Sequence, residues 1–220
     1  MPIRKESFVS GEYYHIYNRG NSKQKIFNDE EDYLRFLDLL YISNSSEKFN
    51  IFDIRKFSNI FDIERETVLV YIGAYVIMPN HFHLLLTQTE DGSVSKFMQK
   101  LTTAYAMYYN RKYKRRGSLF EGKFKSRHIH NNKYLKYLFS YIHLNPVKLI
   151  QTQWKKEGIK NKNKVIEYLN KYLYSSYLDY KGIKRFYCSI LSKDKFPEYF
   201  PSKKSFDKEI FEWISYGEQE

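Results

Sequence analysis

The apolar positions of the chain fall into distinct patterns, and each predicts a different element. Glu12 to Tyr17 (EYYHIY) is rich in strand formers and runs into Asn18-Arg19-Gly20-Asn21, a turn signature, so a strand and then a loop are expected. Asn28 and Glu31 then stand at capping-box spacing, and Tyr33, Phe36, Leu37, Leu40 and Tyr41 recur at the positions of one helical stripe. Val68 to Met78 (VLVYIGAYVIM) is instead apolar almost without interruption, the pattern of a strand covered on both faces. Pro79-Asn80 breaks that run, and His81 to Leu86 resumes it, so the two strands read as a hairpin in a central sheet.

A second helix is predicted from about Ser93 to Tyr113, with Val94, Phe97, Met98, Leu101, Tyr105, Tyr108 and Tyr109 on one face. It ends in the basic stretch Arg111 to Arg116, stopped by Gly117, and Ser118 to Ile129 reads as another strand. Asn131 or Asn132 caps a third helix whose apolar stripe is Leu135, Leu138, Phe139 and Ile142. Asn145-Pro146 ends it, because the residue before a proline is pushed out of the α region. Residues 44–66 are polar and irregular and are expected to be an insertion. Beyond Trp154, KKEGIKNKNK reads as a solvated linker, and residues 165–220 as helical. The expected organisation is one main domain over residues 1–153, carrying the insertion, and a basic helical tail over 154–220.

Charge changes the picture next. Lys and Arg number 37 against 25 Asp and Glu, a net charge of +12, and 22 Tyr and 17 Phe are spread among the basic residues. Aromatic faces stack on unpaired bases while Lys and Arg hold phosphates, so this composition points toward single-stranded nucleic acid. An AT-rich genome would also enrich Lys, Tyr and Phe, and composition alone does not separate the two. Cys188 is the only cysteine, which leaves no intramolecular disulfide and no cysteine-rich zinc site; it is read as a structural thiol. No run approaches the roughly 18 apolar residues of a membrane span, and MPIRKESF lacks a signal-peptide core, so a cytoplasmic location is expected.

One constellation carries chemistry. His81 and His83 are two apart on a predicted strand, which puts both imidazoles on one face, roughly 6 to 7 Å apart, with Phe82 and Leu84 on the other. Two imidazoles so placed suit one metal ion, though histidines in strands are often structural. On the third helix Tyr134, Tyr141 and Asn145 fall on one flank of the apolar stripe, and Tyr141 and Asn145 are one turn apart. Among 22 tyrosines, position alone does not single out Tyr141 from Tyr134 or Tyr137.

The segments YHIYNRGNSKQKIF, YVIMPNHFHLLL, GSLFEGKFKS and YLFSYIHLNPVKLI, in this order, resemble the single-tyrosine transposases of the HUH superfamily, especially the REP-associated tyrosine transposases. The resemblance spans about residues 13–150, and YSSY at Tyr174 to Tyr177 resembles a motif of their tails. It implies a ferredoxin-like α+β sandwich whose central antiparallel sheet carries the histidine pair, with helices packed on it. It implies His81, His83 and Asn145 as ligands of Mg²⁺ or Mn²⁺, and Tyr141 as the nucleophile that forms a 5′-phosphotyrosine with single-stranded or hairpin DNA. Imidazole pairs by themselves would suggest zinc, copper or nickel instead. The insertion is longer than in compact relatives, and Tyr174 stands where many have Trp.

Lys123, Lys125 and Arg127 alternate along the strand expected after Gly117 and, with Lys114, Arg115 and Arg116, are candidate contacts to the DNA backbone. Their alternative role is to protect a sheet edge from pairing. Arg19 and Asn18 are candidates for reaching a hairpin or guide strand. His15, His128, His130 and His143 are read as structural or surface residues. The rival functions are a non-catalytic single-strand-binding module and a replication initiator or relaxase, and either a monomer or a homodimer is compatible with the family.

Overall fold

The computed structural model describes residues 7–47, 59–200, 202 and 205–214. Its chain order is β1 (Tyr14–Arg19), α1 (Glu30–Ile42), β2 (Val70–Met78), β3 (His81–Gln88), α2 (Ser93–Lys112), β4 (Lys125–His128) and α3 (Asn132–Leu144). Four further helices follow: α4 (Trp154–Glu157), α5 (Lys162–Lys171), α6 (Tyr177–Tyr180) and α7 (Phe206–Ile214). The sheet has the order β2-β3-β1-β4 with every neighbouring pair antiparallel. This βαββαβ arrangement is the ferredoxin-like α+β sandwich that the sequence predicts.

Strand alternation divides the sheet into two different faces. Tyr14, Ile16, Phe82, Leu84 and Leu86 point to one side, where they pack with Phe36, Leu37 and Leu40 of α1 and Phe97, Met98 and Leu101 of α2. Ala74, Val76, Met78 and Leu85 point to the other and meet Leu135, Leu138, Phe139 and Ile142 of α3. Burying each large apolar side chain contributes roughly 1.5–3 kcal/mol, so both faces are firmly held. A bulge between Ile72 and Ala74 shifts the alternation of β2, so that Val70 and Ile72 before it and Tyr75 and Ile77 after it face the same core. It centres on Gly73, where a side chain would run into the Phe196 ring.

Several boundaries shift from those predicted. Asp29, not Asn28, caps α1: its side chain accepts from Asp32 N, and the Asp32 carboxylate in turn accepts from Asn28 N. β1 continues through Arg19, past the expected turn. The strand expected over 118–129 forms only at Lys125–His128, because Gly117 (φ 87°) and Gly122 (φ 150°) take conformations that a regular strand does not hold. Part of the expected linker is helical, with Asn161 capping α5. Cys188 is exposed, contrary to its reading as a structural thiol. The expected insertion lies partly outside the described residues; at its N-terminal end Asn44 accepts from Leu69 N and Val70 N and donates to Val70 O.

The tail is built into the sheet. Ile77 N donates to Tyr174 O and Ser176 N to Tyr75 O, so residues 174–176 pair with the otherwise free edge of β2. Trp154, Val165, Leu169, Tyr177, Phe206 and Ile210 form a third apolar cluster with Leu144 and Val147 at the end of α3.

Candidate active site

The face of the sheet that carries α3 changes character along β3. Leu85 belongs to the apolar cluster, and the next two residues on that face toward the hairpin are His83 and His81. The hairpin turn that starts β3 is clasped by the loop after β1: Gly20 N donates to Asn80 O, Ile26 N and Phe27 N to Pro79 O, and Asn80 Nδ2 to Lys23 O. Gly20 is required there because a Cβ would collide with the Gln24 carbonyl and Ile26. The clasp fixes Asn80, whose Oδ1 lies 2.6 Å from His81 Nδ1. As an amide oxygen it can only accept, so Nδ1 of His81 carries the proton and Nε2 keeps its lone pair.

α3 brings the second half of the site. Asn131 caps it by accepting from Tyr134 N, and its apolar stripe seats it on the sheet so that the flank bearing Tyr141 faces the histidines. The Tyr141 ring stands edge-on to His83, with centroids 5.4 Å apart, and 6.1 Å from His15. The backbone stays in the α region through Asn145 before Pro146 turns it into a short 3₁₀ segment, which keeps Asn145 one turn beyond Tyr141 on the same flank. The Asn145 side chain interacts with both the His81 imidazole and the Tyr141 hydroxyl. Its Oδ1 is nevertheless buried and finds no well-placed donor. A buried acceptor without a partner is costly unless something else fills the role.

Electrostatics follow from burial. Desolvation, reinforced by Lys148, lowers the His81 pKa to about 4, and the buried His83 is pushed well below the ordinary imidazole range. Both are therefore neutral and able to act as ligands near pH 7. Burial raises the Tyr141 phenol above its ordinary value, and the hydrogen bond with Asn145 pulls it back in part. The Lys155 ammonium lies 3.8 Å from the centre of the Tyr141 ring, and loss of solvent together with Lys148 lowers its pKa.

The two halves predicted from sequence thus meet. Two imidazoles and one amide oxygen are the polar groups brought together here; among the described residues no cluster of three or more His, Cys, Asp and Glu could hold a metal. Lys125 and Arg127 stand opposite Tyr17 and His15 in the sheet register and so project onto the histidine face. Lys123 precedes β4 and is exposed. Arg19, opposite His81, is held by a two-pronged ion pair with Glu121 at 2.8 and 2.9 Å. Asn18 is buried on the opposite face, where its amide donates to Gly122 O and accepts from Arg19 N, which makes it a loop brace and not a group that reaches outward. Lys114, Arg115 and Arg116 follow α2, which packs on the face away from the histidines.

Sequence reasoning missed three residues here. His15 lies in hydrogen-bond contact with His83, and Lys148 and Lys155 flank the histidines and Tyr141. His15 was within reach of the argument, since His15, Tyr17 and Arg19 alternate on β1 as His81 and His83 do on β3. The lysines carried no local signal.

Fold and site together define a ferredoxin-like α+β protein whose sheet presents paired imidazoles to a helix-borne tyrosine. A family model described as transposase, IS200-like, matches residues 8–145, well over half of the chain, and the protein belongs to that transposase family. Among solved structures, a REP-associated tyrosine transposase bound to a REP hairpin is similar at a TM-score of 0.47 and 16% identity, over 84% of this chain and 90% of that one. A tRNA(His) guanylyltransferase from Saccharomyces cerevisiae is similar at 0.38 and 12%, over 76% and 74%. No curated protein matches the chain in sequence. No described helix is long and apolar enough to cross a membrane.

Proposed function

We propose that the protein is a metal-dependent single-stranded DNA endonuclease and strand transferase, in which Tyr141 forms a 5′-phosphotyrosine on single-stranded or hairpin DNA. The observation that carries this reading is the convergence of His81, His83, Asn145 and Tyr141 on one face, with Asn145 Oδ1 buried and lacking a donor. That oxygen and two neutral imidazoles are a fitting donor set for a divalent ion, and a hard amide oxygen favours Mg²⁺ or Mn²⁺ more than imidazoles alone would. The bound ion would polarise the scissile phosphate as a Lewis acid.

The remaining work belongs to the chain. A phenol is a poor nucleophile near neutral pH; Asn145 bonds to the Tyr141 hydroxyl and the Lys155 ammonium lies over its ring, and both favour the anion as the proton leaves. The Tyr141 oxygen–phosphorus bond forms while the phosphorus–O3′ bond breaks, and the departing oxygen takes up a proton as a 3′-OH. One phosphoester replaces another, so a different 3′-OH can reverse the step and join strands. Lys125 and Arg127 suit backbone phosphates. Along α3 the Tyr134, Tyr137 and Tyr141 rings succeed one another at 5.8 and 6.2 Å, and Arg127 lies over the first of them.

A fluorescent hairpin oligonucleotide incubated with the protein and Mg²⁺ or Mn²⁺ should yield a denaturant-resistant adduct. Tyr141→Phe should abolish it while retaining binding, and Tyr137→Phe should retain both. Binding with no adduct under any metal would instead favour a non-catalytic single-strand-binding module.

A further inference from the structure

His15 Nε2 lies 2.8 Å from His83 Nδ1, and both side chains are only 7% exposed. In the register of β1 against β3, His15 faces Leu85 and Tyr17 faces His83, so the two imidazoles meet across a diagonal of the sheet. Burying two imidazoles is unfavourable unless their nitrogens are paired, and an aliphatic residue would fill the His15 position at less cost. The pairing has two tautomeric forms. If His15 donates, His83 is protonated on Nε2 and has no lone pair free. If His15 accepts, His83 is protonated on Nδ1 and Nε2 is left as a ligand.

We infer that His15 is a positioning residue: it accepts the Nδ1–H of His83 and holds His83 in the tautomer whose Nε2 lone pair is available to a divalent cation. The inference rests on the metal reading above. Asn80 does the same for His81 through an amide oxygen, so each imidazole of the pair has its own orienting acceptor. Such outer partners typically change metal affinity 10- to 100-fold.

Two measurements on the full chain test it. Nitrogen-15 NMR of the metal-free protein should show His83 protonated on Nδ1; protonation on Nε2 in the wild type overturns the inference whatever the metal does. Mn²⁺ binding, followed by the electron paramagnetic resonance of the free ion, should weaken about 10- to 100-fold in His15→Phe and be largely kept in His15→Gln, whose amide oxygen can still accept. Circular dichroism melts of both variants show that they are folded. Equal Mn²⁺ affinity in folded His15→Phe and wild type overturns the inference. A wild type with the expected tautomer and no Mn²⁺ binding overturns the metal reading alone and leaves the tautomer-setting role of His15 standing.

Discussion

The Lys155 ammonium sits 3.8 Å above the centre of the Tyr141 ring, although the two residues come from different sides of the turn at Pro146. Lys155 is carried by α4, whose Trp154 is buried in the cluster formed by the end of α3 and the tail. The tail therefore contributes a cation to the site. A cation at such a site is worth about 1–2 kcal/mol, or roughly tenfold in rate, where negative charge develops on the phenol. Lys155→Met should slow adduct formation about tenfold, with Lys155→Arg restoring part of it, while Mn²⁺ affinity in Lys155→Met is no weaker than in the wild type, since a neighbouring positive charge is removed. A rate equal to the wild type in Lys155→Met would show the contact to be packing only.

In the proposed mechanism Asn145 serves both the ion, through its orphan oxygen, and the phenol, through a hydrogen bond. Truncation in Asn145→Ala removes both the orphan oxygen and the hydrogen bond to Tyr141, so Mn²⁺ affinity and cleavage should fall together. Asn145→Asp keeps an oxygen in place and adds charge, which strengthens the attraction to a divalent cation. Calorimetric titration with Mn²⁺ should rank the proteins Asp above Asn above Ala. An Ala variant that binds as tightly as the wild type would remove Asn145 from the donor set.

Most of this architecture was legible because it depends on periodicity. The two-residue repeat that puts His81 and His83 opposite Phe82 and Leu84, and the turn that joins Tyr141 to Asn145, follow from strand and helix geometry alone. Neither repeat says which two elements face each other, and so the choice of Tyr141 over Tyr134 and Tyr137 needed the family resemblance. Long-range partners left no such trace. Glu121 binding Arg19 across the sheet, Lys155 reaching back over Tyr141 and Tyr174 to Ser176 extending the β2 edge are set by packing between distant segments. The 118–124 segment was misread because its apolar residues suggested a strand, while Gly117 and Gly122 bend the backbone out of one.

Asp38 on α1 should make the protein more stable in mild acid at that position. Burial pushes its carboxyl from 3.8 to about 6, and Arg35 offsets this only in part. A carboxyl raised on folding is tolerated without cost below the unfolded value; the cost appears as pH rises from about 4 and is complete above about 6. Asp38 keeps some contact with water, so the cost at pH 7 is reduced to about 1 kcal/mol from what the full shift would give. Asp38→Asn should therefore raise the melting temperature at pH 7, and the gain should vanish near pH 4. A gain that is the same at both pH values would assign the effect to something other than the carboxyl's charge.

The buried pair of Arg185 and Asp179 fastens the tail to the sheet, and removing one partner should cost more than removing both. The Asp179 side chain is fully buried, and Arg185 grips it with Nε at 2.8 Å and Nη2 at 2.5 Å. The same guanidinium donates to Leu173 O, Ser175 O and the Tyr75 hydroxyl, which links the segment paired with β2 to the strand itself. Arg185→Met leaves the buried carboxylate without its partner, a change that destabilises by about 3–5 kcal/mol. Adding Asp179→Leu removes that charge and should recover a large part of the loss, because the net contribution of a buried pair over an apolar substitute is small. Denaturant melts of the single and double variants measure the difference. A double variant no more stable than Arg185→Met would mean that the guanidinium's bonds to the backbone carbonyls, not its pairing with Asp179, hold the tail in place.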